Sequence, residues 1–307
     1  MSNITHLESS ALAVELSNRG ARLVQLISKQ QNVPLLLDTA QVSTDLIDQF
    51  CIGGTVGPFA GRLRQAQAIN GESTVLLHGS EGALHRVDWV LEQSHHASSA
   101  SYSIRRQHGE GRLPGDRDFS VTYTVLDNRL IIDLMATTTH DTPISLTNHA
   151  YFTLGAPTVS TLSLRIHAHS VLVTDSEQCA TGETIPVAGT DLDFARERSL
   201  GDVLMEYPSG LDHSYVVASA EEPALEPNYV ASLTNRANGI GLDIATTQPC
   251  LQVYTASQLR APLRPFSAIC LEAQGFPNGP NHPLGEDASL LAAGQSLRQR
   301  IVYRITE

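Results

Sequence analysis

Five short segments combine titratable or polar side chains with turn-forming neighbours, which is how reactive groups are commonly placed on accessible loops. They are residues 57–62, 77–79, 147–152, 210–213 and 272–283. Each segment by itself is weak evidence for a functional site, because a histidine is more often structural than catalytic and this chain has 12 histidines. The neighbours of each polar group therefore decide how it is interpreted.

Two histidines have informative neighbours. Asn148 and Tyr151 flank His149 with hydrogen-bonding groups at a predicted strand end, which would fix the tautomer of the imidazole. The alternative is a histidine that closes a β-turn. His78 precedes Gly79, a residue that lets the backbone approach a ligand closely, although the same segment also fits a plain exit from a strand.

Glu272 interrupts the apolar run 268–271, so a strand here would either bury the carboxylate or direct it into a cleft. Burial raises the pKa of a carboxyl group and makes its anion a better base. The alternative is a glutamate of an edge strand in contact with water. We favour a functional role, because the turn-rich loop 275–283 would enclose this position.

Arg62 lies on a Gly-flanked loop, directly after Gly61, and Asp212 lies in a Leu-Asp-His turn. Each is interpreted either as a partner for ligand hydroxyl or carboxylate groups or as an ordinary turn residue. The histidine pairs 95–96, 167 with 169, and 78 with 85 match no strong zinc spacing, so we expect no metal. The chain also has no P-loop, no GxGxxG after a strand and no GxSxG, which leaves acid/base chemistry without a cofactor.

The composition favours a soluble protein with a neutral small-molecule partner. The formal net charge is -12, from 20 Lys+Arg against 32 Asp+Glu, and no basic cluster offsets it. Such a surface disfavours nucleic acid, anionic membranes and phosphorylated substrates. The four cysteines show no CxxC spacing, which predicts reduced, packed thiols. Without an apolar leader or span, we expect a cytoplasmic location.

Alternation of apolar and polar residues predicts strands over most of the readable sequence. The clearest case is a hairpin of 119–125 and 130–136 that turns at Asp127-Asn128. Further strands are expected at 162–168, 240–244 and 297–305, and residues 12–27 are read as two strands broken at 18–20. One short helix is expected at 199–207, behind a Ser199 cap. We therefore predict an all-β fold, a large antiparallel β-sandwich with few short helices, as one domain over 1–307.

Taken in order, these segments resemble the aldose 1-epimerase (galactose mutarotase) family across nearly the whole chain. Residues 147–154 are similar to its Asn-His-x-Tyr-Phe-x-Leu signature, which implies that His149 is the general acid. Residues 269–274 followed by 280–283 resemble its Leu-Glu-x-Gln and Pro-Asn-His-Pro ending, which implies that Glu272 is the general base. The resemblance also implies a galactose mutarotase-like supersandwich.

The same resemblance implies the residues that hold the sugar. Leu77-His78-Gly79 is similar to the family's Leu-His-Gly-Gly segment, whose histidine binds the sugar. Residues 210–217 resemble an Asp-His-x-Phe/Tyr-Val segment, in which Asp212 would hold sugar hydroxyls. Residues 251–255 resemble a Gln-Val-Tyr-Thr strand, in which Gln252 would face the sugar. Arg62 completes the set. Two positions depart from the family: Gly61 stands where many members have an asparagine, and Ser80 stands where they have a second glycine. These departures bear on which sugar is bound.

The implied reaction interconverts the α and β anomers of a free aldose such as galactose or glucose. An ionised Glu272 would take the proton of the C1 hydroxyl while a protonated His149, opposed to it across the ring, supplies one to the ring oxygen. The alternatives are a hexose-6-phosphate epimerase-like enzyme, a non-catalytic carbohydrate-binding protein, and a glycoside hydrolase using Glu272 and Asp212. We expect a monomer or homodimer.

Overall fold

The computed structural model describes residues 3–65, 74–95, 98–217, 226–286 and 288–307. Strands dominate it, as the alternating sequence predicts. Numbered along the chain, they are β1 (Ile4–Glu8), β2 (Leu12–Ser17), β3 (Arg22–Ser28), β4 (Val33–Pro34), β5 (Thr55–Val56), β6 (Arg62–Gln65), β7 (Thr74–Leu77), β8 (Val90–His95), β9 (Ser99–Arg106), β10 (Arg117–Leu126), β11 (Arg129–Thr138), β12 (Thr142–Pro143), β13 (Thr147–Asn148), β14 (Tyr151–Phe152), β15 (Leu162–Ile166), β16 (Ser170–Thr174), β17 (Ala180–Pro186), β18 (Arg198–Ser199), β19 (Asp212–Val216), β20 (Asn228–Asn235), β21 (Ile240–Thr246), β22 (Cys250–Tyr254), β23 (Ile269–Gln274), β24 (Leu290–Leu291) and β25 (Ser296–Thr306).

Two large antiparallel sheets make up most of the fold. The first has nine strands in the order β18-β15-β20-β21-β25-β11-β10-β9-β8, and the second has six in the order β14-β23-β22-β19-β16-β17. A four-stranded sheet, β1-β2-β3-β4, and three strand pairs, β12-β24, β13-β5 and β6-β7, accompany them. One apolar core includes inward side chains of both large sheets, such as Val121 and Leu134 from the first and Val253 and Leu271 from the second. The predicted all-β sandwich is confirmed.

The predicted strands are confirmed with small changes at their ends. In the hairpin β10–β11, Phe119 pairs with Ala136 and Tyr123 pairs with Ile132, so the apolar residues share the buried face. The strands expected at 162–168, 240–244 and 297–305 are β15, β21 and β25. Residues 12–27 form the paired strands β2 and β3. The Asn-Arg-Gly interruption therefore indicates a turn, not a continuous helix.

The described residues form two α-helices, and both are short. Helix α2 (Leu200–Glu206) confirms the predicted helix with Ser199 as its N-cap residue, but the Ser199 side chain forms no capping hydrogen bond. Helix α1 (Thr44–Gln49) has no counterpart among the sequence predictions; its cap, Ser43, accepts a hydrogen bond from the Leu46 backbone N–H. No described helix has the length and apolar character needed to cross a membrane.

A buried charge cluster fixes α1 to the β-structure. Asp48 accepts hydrogen bonds from Arg19, at 2.6 Å, and from the buried Arg22, at 2.8 Å. Arg22 also donates to the Ile52 carbonyl at 2.8 Å. Gln49, Phe50 and Cys51 follow Asp48 directly and line the cavity described below. The cluster therefore holds one wall of that cavity.

We expect Asp48→Ala to lower the free energy of unfolding by about 3–5 kcal/mol, because it leaves the Arg22 guanidinium buried without its carboxylate. Urea denaturation measures this change. Asp45→Ala, at an exposed position in the first turn of the same helix, is the control and should cost about 1 kcal/mol or less. Equal losses for the two variants would mean that the cluster adds nothing to stability.

Candidate active site

A cavity of about 260 Å³ opens over one face of the six-stranded sheet, and every strand of that sheet contributes to its lining. The six residues selected from the sequence all line this cavity: Arg62, His78, His149, Asp212, Gln252 and Glu272. They come from segments that are up to 210 residues apart, Arg62 and Glu272 being the extremes. The fold therefore brings together residues that the sequence alone could only group by motif.

Strand register explains this convergence. Ser214 on β19 pairs directly with Gln252 on β22, and Gln252 pairs with Glu272 on β23. Residues directly opposite one another in a sheet project from the same face. Asp212 and Tyr254, two residues along their strands and paired with each other, therefore face the same side. The sheet thus presents two adjacent rows of polar side chains to the cavity.

Glu272 and His149 form a buried acid/base pair in the lining of the cavity. Glu272 Oε1 lies 3.5 Å from His149 Nε2, and the two residues are only 2% and 5% exposed. Strand β23 lies between β14 and β22, so the interpretation of Glu272 as an edge-strand residue in water is wrong. Glu272 Oε2 and His149 Nδ1 are buried and have no hydrogen-bond partner among the described residues. These atoms remain available to a ligand.

The backbone and two aromatic rings, of Tyr151 and His78, hold His149. Its N–H donates to the Gly54 carbonyl at 3.0 Å, and its ring stacks on Tyr151 with centroids 5.1 Å apart. The predicted hydrogen bonds from Asn148 and Tyr151 to the imidazole are absent. The Asn148 amide instead donates to the Gly53 carbonyl, and the Tyr151 hydroxyl donates to the Phe50 carbonyl. Stacking, and not hydrogen bonding, therefore orients the ring.

Burial determines the charge of the pair. It raises the pKa of Glu272 well above 4.5, and the Asp212 carboxylate raises it further. Burial lowers the pKa of His149 well below 6.5, and His78 and His85 add to this effect. At a pH between the lowered pKa of His149 and the raised pKa of Glu272, the pair holds one proton and has no net charge. Burial of both groups favours the uncharged arrangement, with that proton on Glu272. The sequence-based expectation placed the proton on His149, because it considered burial only for the basicity of Glu272.

His78 supplies a neutral hydrogen-bond donor. Its Nδ1 accepts the Gly61 backbone N–H at 3.2 Å, and burial together with nearby Arg62 lowers its pKa to about 4. The ring is therefore the tautomer with hydrogen on Nε2. The sequence-based expectation was that Gly79 lets the backbone approach a ligand, but Gly79 does not line the cavity. Its contact with Gly57 explains the glycine instead. A Cβ on Gly79 would lie 2.4 Å from the Gly57 carbonyl oxygen, and its φ of +83° also favours glycine.

The remaining predicted residues form a polar wall. The Gln252 amide nitrogen donates to Asp212 Oδ1 at 2.6 Å, and the Gln252 oxygen accepts from the Ser214 hydroxyl. Arg62 donates to the Gln178 side-chain oxygen across the cavity mouth. Asp212 is exposed at the cavity, but partial desolvation by the surrounding lining raises its pKa, while the hydrogen bond from Gln252 opposes this shift. The wall offers both donors and acceptors, which suits a ligand with many hydroxyl groups.

The sequence analysis missed several lining residues, among them Tyr151, Ser214, Tyr254 and Gln274. Ser214, Tyr254 and Gln274 lie two residues from Asp212, Gln252 and Glu272, so the period of a strand could have identified them. Of the two departures from the family pattern, Gly61 lines the cavity. Ser80 does not, because its hydroxyl accepts the Leu77 backbone N–H at 3.1 Å.

Among the described residues, no group of three or more His, Cys, Asp or Glu side chains could hold a metal ion. His96, one member of the histidine pairs considered above, lies outside the described residues. The chemistry that the site itself offers is proton transfer between Glu272 and His149, beside a polar wall of hydrogen-bond donors and acceptors.

Comparison with known proteins agrees with this geometry. The family model described as aldose 1-epimerase matches residues 4–304. An aldose 1-epimerase from Haemophilus influenzae is 32% identical over 261 residues, covering 76% of this chain and 74% of the relative. The galactose mutarotase of Homo sapiens is 28% identical over 302 residues, covering 90% of this chain and 86% of the relative. A solved GalM/aldose epimerase homologue from C. elegans aligns with a TM-score of 0.86 at 27% identity, covering 100% of this chain and 99% of that one.

Proposed function

The chain belongs to the aldose 1-epimerase family and interconverts the anomers of a free aldose, and we propose that Glu272 and His149 perform this reaction as its base and acid. The observation that carries the assignment is the 3.5 Å separation of these two buried groups in the lining of the cavity. Arg62, His78, Asp212 and Gln252 bind the sugar hydroxyls.

Ring opening moves one proton from one oxygen to another on the same carbon. The C1 hydroxyl gives its proton to Glu272, its electrons form the C1 carbonyl, the bond from C1 to the ring oxygen breaks, and that oxygen takes the proton of His149. Rotation about the C1–C2 bond and the reverse transfers then close the other anomer. Because both oxygens are bonded to C1, two proton carriers that lie side by side can reach both of them. The 3.5 Å between His149 Nε2 and Glu272 Oε1 leaves no room for a sugar ring between the two groups, so they act from one side of the sugar and not from opposite sides as expected.

The reaction leaves the number of protons on the pair unchanged. Opening moves its single proton from His149 to Glu272, and closure moves it back. The state favoured by burial in the free protein, with the proton on Glu272, is the state that the open sugar leaves behind. A closed sugar that donates its C1 hydroxyl to Glu272 favours the ionised carboxylate, because hydrogen bonding stabilises the charged form.

The charges around the cavity support a neutral sugar as substrate. Among the described lining residues, Arg62 is the one arginine or lysine, and it already donates to Gln178. Phosphate recognition uses clustered arginine or lysine side chains, whereas this cavity has one arginine, Arg62, and is also lined by the acidic side chain of Asp212. We therefore favour galactose or glucose over a hexose 6-phosphate.

Polarimetry of freshly dissolved α-galactose, α-glucose, other aldoses and glucose 6-phosphate tests this proposal. We expect the protein to accelerate the mutarotation of at least one neutral aldose well above the rate in buffer, and to have less effect on the phosphate. Preference for the phosphate would support the hexose-6-phosphate alternative. Saturable sugar binding without any acceleration would support a carbohydrate-binding protein.

The pH dependence of kcat/KM provides a further prediction. Adding a second proton to the pair protonates His149, whose pKa lies well below 6.5, so the acid limb should also lie well below pH 6.5. Removing the last proton ionises Glu272, whose raised pKa sets the basic limb. The rates are measured from pH 4 to 10, after subtraction of the rate in buffer. An acid limb at or above pH 6.5 would contradict the one-proton pair.

We also propose a cytoplasmic, single-domain protein that acts as a monomer or homodimer, without nucleic acid or membrane partners. Its four cysteines are buried and free, which is the state expected in a reducing compartment. The net charge of -12 disfavours polyanionic partners. A core shared by the two large sheets supports one domain.

A further inference from the structure

Gln274 is a buried polar residue to which the proposed reaction assigns no role. It is only 1% exposed, yet it lines the cavity, and its side-chain oxygen has no hydrogen-bond partner among the described residues. Buried polar side chains nearly always have a partner, because an unsatisfied group loses its bonds to water. An unpaired amide that faces a ligand cavity therefore calls for a partner supplied by the ligand.

The position of Gln274 defines which part of a sugar it can reach. Gln274 and Glu272 are two residues apart on β23, so their side chains project from the same face about 7 Å apart along the strand. When the hemiacetal contacts Glu272, the Gln274 amide is therefore beside a part of the same ring that is remote from C1. The hydroxyl groups at such positions distinguish one aldose from another.

Gly61 leaves this side of the cavity open. A Cβ on Gly61 would lie 3.4 Å from the Gln274 amide nitrogen and 3.4 Å from Pro277. Any longer side chain at position 61 would extend beyond that Cβ and compete for the space beside the amide. The glycine therefore leaves the Gln274 amide accessible to a ligand hydroxyl.

The geometry points to Gln274 as a substrate-binding residue whose amide forms a hydrogen bond with one aldose hydroxyl remote from C1, in the space beside Gly61. This inference rests on the proposed function, and it adds a specificity contact to the same site. It assigns Gln274 a direct contact with substrate, separate from the proton transfers of Glu272 and His149.

The contact is tested by a cycle that removes the Gln274 amide in the protein and one hydroxyl at a time in the sugar, and compares the effects on kcat/KM. The variant Gln274→Met keeps a similar volume and removes the amide, and the sugars are the preferred aldose and its 2-, 3-, 4- and 6-deoxy analogues. We expect Gln274→Met to lower kcat/KM for the parent sugar about 2- to 10-fold, as for loss of one neutral hydrogen bond, mainly through KM. With the one analogue that lacks the partner hydroxyl, the variant and the wild type should have equal kcat/KM.

The matched control is Gln25→Met, because Gln25 also has an unpaired side-chain oxygen but lies outside the cavity lining. It should leave kcat/KM unchanged for every sugar. The melting temperature of Gln274→Met should not fall, since the change removes an unsatisfied polar group. If this variant does not fold, Gln274→Ala replaces it in the same cycle.

An equal loss of kcat/KM for the parent sugar and all analogues would overturn the contact, and so would no loss for any of them. Acceleration by the wild type is measured first. If the wild type accelerates mutarotation and the cycle shows no coupling, this inference alone fails. If the wild type accelerates no parent aldose, the proposed function and this inference fail together.

Discussion

Glu272→Gln should lower kcat for mutarotation by about 10²- to 10⁴-fold, the usual contribution of a positioned general base. Glutamine has the same shape but cannot take the proton of the C1 hydroxyl. KM should change much less, because Arg62, His78, Asp212 and Gln252 still bind the sugar. The rate is measured by polarimetry, after subtraction of the spontaneous reaction.

The same substitution should stabilise the protein at neutral pH. Since burial raises the pKa of Glu272 well above 4.5, the unfolded carboxyl ionises from about pH 4.5 upward while the folded one keeps its proton. Glu272 therefore reduces stability as the pH rises through this range, by about 1.4 kcal/mol for each pKa unit. Glutamine removes that cost, so the gain in urea denaturation should be larger at pH 7 than at pH 4.

Glu183→Gln is the matched control for both measurements, because Glu183 is exposed on β17 of the same sheet. It should change neither kcat nor the pH dependence of stability. Near-normal turnover by a folded Glu272→Gln variant would remove Glu272 from the role of base. A loss of activity together with a loss of stability would point to damage to the fold instead.

His149→Gln is expected to have the second large effect, a fall in kcat of similar size, because the ring oxygen then leaves without a proton donor. The substitution also removes the group that takes up the second proton of the pair. The acid limb of the pH profile, assigned above to His149, should therefore move or disappear in the residual activity. Rates of the variant and wild type are compared from pH 4 to 10.

His6→Asn is the control for His149→Gln, since His6 is exposed on β1 and outside the cavity lining. Its pH profile should match that of the wild type. If His149→Gln retained the acid limb of the wild type, His149 would not be the group that titrates there, and the assignment of the acid would be wrong.

Local pattern was sufficient to predict most of the long strands. The alternation in 119–125 and 130–136 correctly specifies β10 and β11, because one buried face requires apolar residues at every second position. It could not predict β13 and β14, which have two residues each and pair only with distant strands. The local pattern also did not predict α1, whose Asp48 accepts hydrogen bonds from Arg19 and Arg22.

The site could be predicted only in part, for a similar reason. Motif resemblance identified Glu272 and His149, and both line the cavity. Their side-by-side placement and the proton on Glu272 depend on burial between distant strands, which no local pattern encodes. The unpaired side-chain oxygen of Gln274 likewise depends on which groups the fold brings to this side of the cavity.

The central claim, ring opening by one proton pair, is tested most directly by NMR exchange between the α and β anomers of an aldose labelled with ¹⁸O at C1. The claim predicts exchange faster than in buffer for the wild type, with the label retained on C1, and an acceleration about 10²- to 10⁴-fold smaller for Glu272→Gln and for His149→Gln. Retention is expected because opening converts the labelled hydroxyl into the carbonyl oxygen and never breaks its bond to carbon. Loss of the label at the rate of anomer exchange, or equal exchange in both variants and the wild type, would contradict it.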